Sequence, residues 1–271
     1  MRILFAGTGA AEGWPALFCE CDVCMKARAL RGKNIRTRSS IHIDEELKVD
    51  WPPDTYLHVL QYNLNLAKIK YLFITHSHYD HLHPDDLLMR QAPFAHMRSS
   101  NPLNIYGSQD VINCILKAVG EPSKIGLILK VLEPFETIKA GSFRIMPLPA
   151  NHDPKQTCLL YLLESKGNVI LYGHDSGWFP EETWRRLESW RLDLVILDCT
   201  TGAFSSRGYH MGLKEVIEMR RQMLSKNMAD KDTIFVATHF SHNGLLLHEE
   251  LSSKLISEGI EAAYDGLTIE L

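Results

Sequence analysis

Four strand-sized apolar runs in this chain each deliver a potential metal ligand at their carboxyl end. Tyr71–Thr75 is followed at once by His76 and Phe143–Leu148 shortly by His152, while Val169–Tyr172 leads into Asp175 and Ile234–Thr238 into His239. In an open α/β sheet, side chains just past the carboxyl ends of strands meet in one crevice. Thirteen histidines placed by chance would scatter over elements and faces, so the regularity predicts a layered fold with one site. Ile3–Ala6, Ile41–Ile43 and Leu194–Leu197 are further strand-like runs, rich in β-branched or aromatic residues. Helical patterns lie between the strands. Leu213, Val216, Ile217, Met223 and Leu224 share one face of a helix that carries Lys214, Glu215, Glu218, Arg220 and Arg221 outward. Leu247, Leu251 and Leu255 repeat at i+4, with Gly259 as a C-cap. Glu181–Trp190 opens after Pro180 with two acids in its first turn. Strands interleaved with helices make an α/β layered fold the expectation.

The 271 residues contain no solenoid repeat, low-complexity tract or long linker, and their number is compatible with one large α/β domain or two small ones. Apolar residues at 45% and charged residues at 23% are an ordinary balance for a soluble globular protein. A formal net charge of −4 argues against a basic face, hence against a nucleic-acid duplex or a membrane as partner. A small anionic substrate stays compatible, because bound cations can dominate the local charge of a site. The start MRILFAGTGA lacks a secretory pattern, and no apolar run is long enough to span a bilayer. Cys19, Cys21 and Cys24 are crowded while Cys114, Cys158 and Cys199 are scattered, a distribution that suits metal ligation in a reducing cytoplasm.

His76 and His78 flank a single residue past a strand, so in extended backbone both point to one side. Asp80 and His81 follow where the chain must turn, and Pro84 then starts a helix with Asp85 and Asp86 in its first turn. Imidazole with carboxylate suits zinc, manganese or iron. The run His76-Ser77-His78-Tyr79-Asp80-His81 resembles the signature of the metallo-β-lactamase superfamily. That resemblance covers essentially the whole chain and implies a single hydrolase domain over 1–271, an αββα four-layer sandwich and a dinuclear site. His76, His78 and His152 would hold one divalent metal, Asp80, His81 and His239 the other, and Asp175 would bridge them. Asp50, after the strand-like Leu47–Val49, looks like an early aspartate that orients a ligating imidazole. Such a pair of ions would share a bridging hydroxide and polarise the electrophile, with Asp80 part of the catalytic set. No persuasive Ser/His/Asp or Cys/His arrangement competes with this.

Cys19-x-Cys21-x-x-Cys24 is tight enough for three thiolates to face one structural zinc, which takes four ligands. His239 and His242 are both available. His239 directly follows a strand and is assigned to the dinuclear site, which leaves His242 for the cysteines of the 19–24 loop. Gly7-Thr8-Gly9, the three cysteines and the His-x-x-His pair resemble the branch containing a cyclic-phosphate phosphodiesterase. By that resemblance His210 is an active-site histidine outside the metal shell, where a free imidazole could bind phosphate or protonate a leaving oxygen. Asp198, ending Leu194–Leu197, is a candidate for supporting a ligand. The expected function is metal-dependent hydrolysis of a small or cyclic phosphodiester in the cytoplasm, with homodimerisation left open. Rival readings are ester, lactone or β-lactam hydrolysis at the same ions, and a non-catalytic carrier related to pyrroloquinoline-quinone biosynthesis proteins. A tRNA 3′-end nuclease finds no basic exosite-like insertion in the chain.

Other polar residues receive lesser expectations. His42, His58, His96 and His248 are read as structural or solvated positions on element surfaces. His174 should point opposite to Asp175, and His83 should pack at a helix start. Arg36 and Arg38 read as surface charge or phosphate contacts, and Gln91–Asn104 as a candidate lid.

Overall fold

Alternation in the strands is what makes this chain layered. The computed structural model describes residues 1–98 and 101–271. The first half supplies β1 (Arg2–Gly7), β2 (Ser40–Ile43), β3 (Leu47–Val49), β4 (Tyr71–Phe73), β5 (Leu103–Gly107) and β6 (Leu127–Val131). The second supplies β7 (Ile138–Ala140), β8 (Phe143–Pro149), β9 (Leu159–Ser165), β10 (Asn168–Gly173), β11 (Leu194–Asp198), β12 (Ile234–Thr238) and β13 (Glu261–Ala262); β14 (Thr268–Glu270) returns to the first sheet. Among the described residues these form two seven-stranded sheets, ordered β14-β1-β2-β3-β4-β5-β6 and β13-β12-β11-β10-β9-β8-β7. Each sheet is half antiparallel and half parallel. β3 through β6 run parallel in the first, and β10 through β13 in the second.

Successive side chains of a strand face opposite ways, so neighbours such as Leu72 and Phe73 serve different cores. Phe73, Tyr106, Phe5 and Ile41 meet Tyr161, Leu163, Ile170 and Tyr172 in the large core between the sheets. Leu72, Ile74, Ile105 and Leu127 meet Val111 and Ile115 of a helix in a second core on the outer face. The helices are α1 (Asp22–Leu30), α2 (Thr55–Tyr62), α3 (Gln109–Val119), α4 (Glu181–Leu187), α5 (Leu213–Ser225) and α6 (His248–Ile256). With helices against both outer faces, the chain is the αββα sandwich expected of it. Among the described residues no helix is long and apolar enough to cross a membrane.

Three local expectations need correction. Glu215 on α5 is buried, because its carboxylate accepts hydrogen bonds from the Ser205 hydroxyl and the Ser206 amide and caps its own helix at Gly212. The helix after Pro180 stops at Leu187, short of Trp190. Gly259 is not the C-cap of α6, which ends at Ile256 with Ser257 as its cap. The helix expected from Pro84 is present, as 3₁₀ turns over Pro84–Arg90 with Asp85 and Asp86 in its first turn.

The edges of the two sheets are tied together beside the ligand-bearing loops. Tyr161 on β9 donates from its hydroxyl to the Ile74 carbonyl (2.6 Å), and the Leu159 amide donates to the Thr75 carbonyl (3.0 Å), immediately before His76. Tyr161 is fully buried, so Tyr161→Phe gives up a buried hydrogen bond at constant shape. We expect a loss of about 1–3 kcal/mol in urea unfolding, with an unchanged denaturant slope. A wild-type midpoint would show that this tie is energetically idle.

Candidate metal centre

The parallel halves of the sheets set the site. Strands that run parallel end on the same edge, so β10, β11 and β12 place Asp175, Asp198 and His239 side by side, while β3 and β4 do the same for Asp50 and His76. The third strand-borne histidine, His152, follows β8. His76 Nε2 lies 2.9 Å and His152 Nε2 3.1 Å from His78 Nδ1, so three imidazole nitrogens converge on one point. A second group forms around Asp80. Its Oδ2 lies 3.0 Å from His81 Nε2 and 3.7 Å from His239 Nε2. Asp175 joins the two: its Oδ2 is 3.3 Å from His76 Nε2, 3.5 Å from His152 Nε2 and 3.0 Å from His81 Nε2.

The opposite nitrogen of each imidazole is anchored. His76 Nδ1 pairs with the Thr75 hydroxyl (3.0 Å), His81 Nδ1 donates to Asp50 (2.8 Å), and His239 Nδ1 pairs with the Thr200 hydroxyl (2.8 Å). His152 Nδ1 donates to the Tyr209 carbonyl (3.3 Å), and His78 Nε2 to Asp153 (3.1 Å). Asp50 also accepts from the Thr75 amide (2.8 Å), so one buried carboxylate fixes both the strand end and His81. Asp198 accepts from the Thr200 hydroxyl (2.6 Å) and the Met211 amide (2.7 Å), and faces His239 Nδ1 at 3.4 Å. Asp50, Asp175 and His239 all sit in left-handed backbone (φ 62°, 51° and 60°), a conformation that non-glycine residues adopt at a cost.

A cation fits this donor set. His81 Nε2 and His239 Nε2 are buried without a hydrogen-bond partner, although carboxylate oxygens lie close. Nitrogens and oxygens aimed at a shared point, rather than paired with each other, are what a metal site requires. Burial would raise the Asp175 carboxyl, but His239, His210 and His81 hold it well below the usual range. Burial likewise opposes charge on His81, yet Asp80 and Asp50 hold its pKa well above normal, and His239 reaches about 9 beside Asp175 and Asp198. His76, pressed mainly by burial, falls well below normal. Ionised carboxylates and neutral imidazoles are the ligating forms, so protons and cations compete for His81 and His239.

The cleft over these groups has a volume of about 490 Å³. Its walls include Ala10, Ala11, Glu12, His78, Asp80, His152, Asp175, Thr200, Thr201, Phe204, His210, His239, Ser241 and Asn243, with no lysine or arginine among the described lining residues. His210 stands at its side, Nδ1 3.1 Å from both Asp175 Oδ1 and Asp198 Oδ2, which leaves Nε2 for a ligand. Burial disfavours its charge, but the two aspartates push the pKa up to about 11. Its loop comes close only because residue 177 is glycine: a Cβ there would meet the Gly208 carbonyl oxygen at 1.3 Å.

Cys19, Cys21, Cys24 and His242 form a separate group within metal-ligand reach. His242 Nδ1 is 3.5 Å from Cys19 Sγ and 3.4 Å from Cys21 Sγ. Burial works against ionising Cys21, but the Cys24 amide and His242 lower its thiol to about 6, while burial pushes Cys24 up to about 12.

Several polar residues lie elsewhere than expected. His42, His58 and His248 are buried rather than on surfaces; His58 pairs with the Thr37 hydroxyl and His248 with Arg36. Arg36 is itself buried, donating to Thr8 and the Ala263 carbonyl, and Arg38 pairs with Asp54, so neither arginine lines the cleft. His174 packs against His81 and His239 and pairs with the Tyr172 hydroxyl (3.0 Å). His83 approaches Asp86 at 4.0 Å at a helix start, and His96 is exposed. The lid expectation for Gln91–Asn104 partly falls on 99 and 100, outside the described residues. Of the rest, Phe94 and Ala95 face a groove with Arg2 and His42, and none of the described ones lines the metal cleft. Thr75, Thr200, Asp153 and Gln156 escaped the sequence reading.

A family model described as the beta-lactamase superfamily domain matches residues 53–240. No curated protein sequence matches the chain. Among solved structures, a diphosphatase of the PhnP family is similar over 100% of this chain and 97% of its own, with TM-score 0.79 and 23% identity. Zinc-bound PqqB from Methylobacterium extorquens aligns over 100% of both chains at TM-score 0.72 and 18% identity. The short form of human tRNase Z covers 100% of this chain and 99% of its own, at TM-score 0.67 and 18% identity. At these identities the likeness concerns the fold.

Proposed function

The chain belongs to the beta-lactamase superfamily, and from that membership we propose that it is a dinuclear metal-dependent hydrolase acting on a small or cyclic phosphodiester. The observation that carries the reading is Asp175 Oδ2, one oxygen within 3.5 Å of nitrogens from both ligand groups at the floor of the cleft. His76, His78 and His152 would hold one cation and Asp80, His81 and His239 the other, with zinc, manganese and iron all suited to the donors. Bound there, the ions would supply a water ionised near neutral pH and a Lewis acid for the substrate oxygen. His210, held through Nδ1 by Asp175 and Asp198, presents Nε2 where it can hand a proton to the departing oxygen. Asp80 lines the cleft as well as serving the second group, so it can orient the attacking water.

The walls bear on the substrate. A phosphodiester carries one negative charge, which the ions can neutralise, whereas each further charge on a monoester or diphosphate would need a further cationic side chain. Outside the ligand set the described lining offers for this only His210, already held by Asp175 and Asp198. A cavity of about 490 Å³ suits a small molecule. Diphosphate hydrolysis is a second reading, favoured by the name of the similar diphosphatase. The Cys19, Cys21, Cys24 and His242 group would hold a structural zinc, and its reduced thiols suit a reducing compartment.

A substrate panel tests this. Bis(p-nitrophenyl) phosphate or a cyclic nucleotide should be turned over at least about tenfold faster, by kcat/KM, than p-nitrophenyl phosphate or a dinucleoside diphosphate. Chelation should abolish the activity, and zinc or manganese should restore it. Turnover of a lactone or ester without either diester would overturn the assignment, and binding of a single cation, held by the cysteines, would favour a carrier.

A further inference from the structure

His78 differs from the other members of its set. Its side chain is 40% exposed, against 1% for His76 and 8% for His152, so packing alone does not fix its ring. The nitrogen aimed at the other imidazoles is Nδ1, which must be unprotonated to ligate, so the proton belongs on Nε2. That nitrogen meets Asp153 Oδ2 at 3.1 Å. Asp153 is itself held: Oδ1 accepts from the Lys155 amide (2.9 Å) and Oδ2 from Gln156 Nε2 (3.0 Å). Gln156 closes the circuit by accepting through Oε1 from the Ser77 amide (2.8 Å) and hydroxyl (2.7 Å). The loop after β8, which carries His152, thereby grips the loop after β4 at Ser77 and at His78.

We propose that Asp153 is a positioning residue that sets the cation affinity of the His76, His78 and His152 group by fixing the tautomer and ring orientation of His78, with Gln156 holding the two loops in register. A carboxylate behind a ligating imidazole also strengthens the ligand, and losing such a partner typically costs about 10–100-fold in metal affinity. The inference rests on reading that histidine group as a cation site; it does not depend on the substrate.

The test is zinc titration of the metal-free full chain against a chromogenic chelator, comparing wild type with Asp153→Asn and Gln156→Ala, alongside thermal unfolding without metal. The asparagine is isosteric, yet its amide puts an NH₂ at one of the two carboxylate positions and carries no charge. One zinc should bind about 10–100-fold more weakly in Asp153→Asn, with the remaining zinc affinities and the metal-free melting temperature unchanged. Gln156→Ala should weaken the same zinc by a smaller factor. Wild-type affinity in Asp153→Asn would overturn the proposal, as would uniform weakening with a lowered metal-free melting temperature, which marks mere loop support. Should wild type bind zinc only at its cysteines, the dinuclear reading falls and this role with it. Zinc loading without diester hydrolysis in wild type, together with a selective affinity loss in the variant, removes the substrate assignment alone.

Discussion

Asp175→Asn is expected to reduce kcat/KM for a diester by on the order of 10³-fold or more, with the fold intact by circular dichroism. The asparagine keeps the volume and removes the charge. Asp175 Oδ2 is the atom shared by both ligand groups, and Oδ1 faces His210 at 3.1 Å. Loss of this one carboxylate should therefore weaken both proposed cation sites and leave His210 held by Asp198 alone. Cations counted by mass spectrometry should fall to the one held by the cysteines. A variant that keeps more than about a tenth of wild-type activity would show that Asp175 does not bridge anything the reaction uses.

His242→Ala and His239→Ala make a diagnostic pair. His242→Ala should lose one cation and about 4 kcal/mol of stability, the scale reached by single substitutions that remove a bound metal, while keeping measurable turnover. The loop it pins has little core of its own: Leu17 is exposed and Phe18 is 99% exposed. His239→Ala should abolish turnover and keep the cysteine-bound ion, because its Nε2 faces Asp80 in the other group. Two residues separate these histidines, so the contrast tests position rather than neighbourhood. The opposite pattern would exchange their roles.

The ligands were legible because each stands at the end of a strand whose apolar run announces it. Asp153 was not. An aspartate after a histidine in a polar loop looks solvated, and only the approach of His78 from 75 positions away gives it a task. Arg36, His58, His248 and Glu215 were misread for a related reason. Polar side chains beside or within a strand or helix pattern count as outward, yet Arg36, His58 and His248 find partners in distant segments, as Thr8 and Ala263 do for Arg36. Glu215 finds its own in the turn just before its helix. β9 escaped because LLYLLES is leucine-rich and lacks β-branched residues, so it suits helix and strand alike. α3 lies in a stretch where no ligand drew notice to its pattern of Val111, Ile112 and Ile115.

The site is split between the sheets. His76, His78, Asp80 and His81 follow β4 of one sheet, whereas His152, Asp175 and His239 follow β8, β10 and β12 of the other. Cations seated there would act as a clasp across the sandwich, stabilising the closed arrangement over any state in which the sheets part. Neither half of a growing chain can complete the clasp, since His239 arrives late in synthesis. A complete ligand set would thus form only once both sheets have met, so full ion loading would report on a finished sandwich.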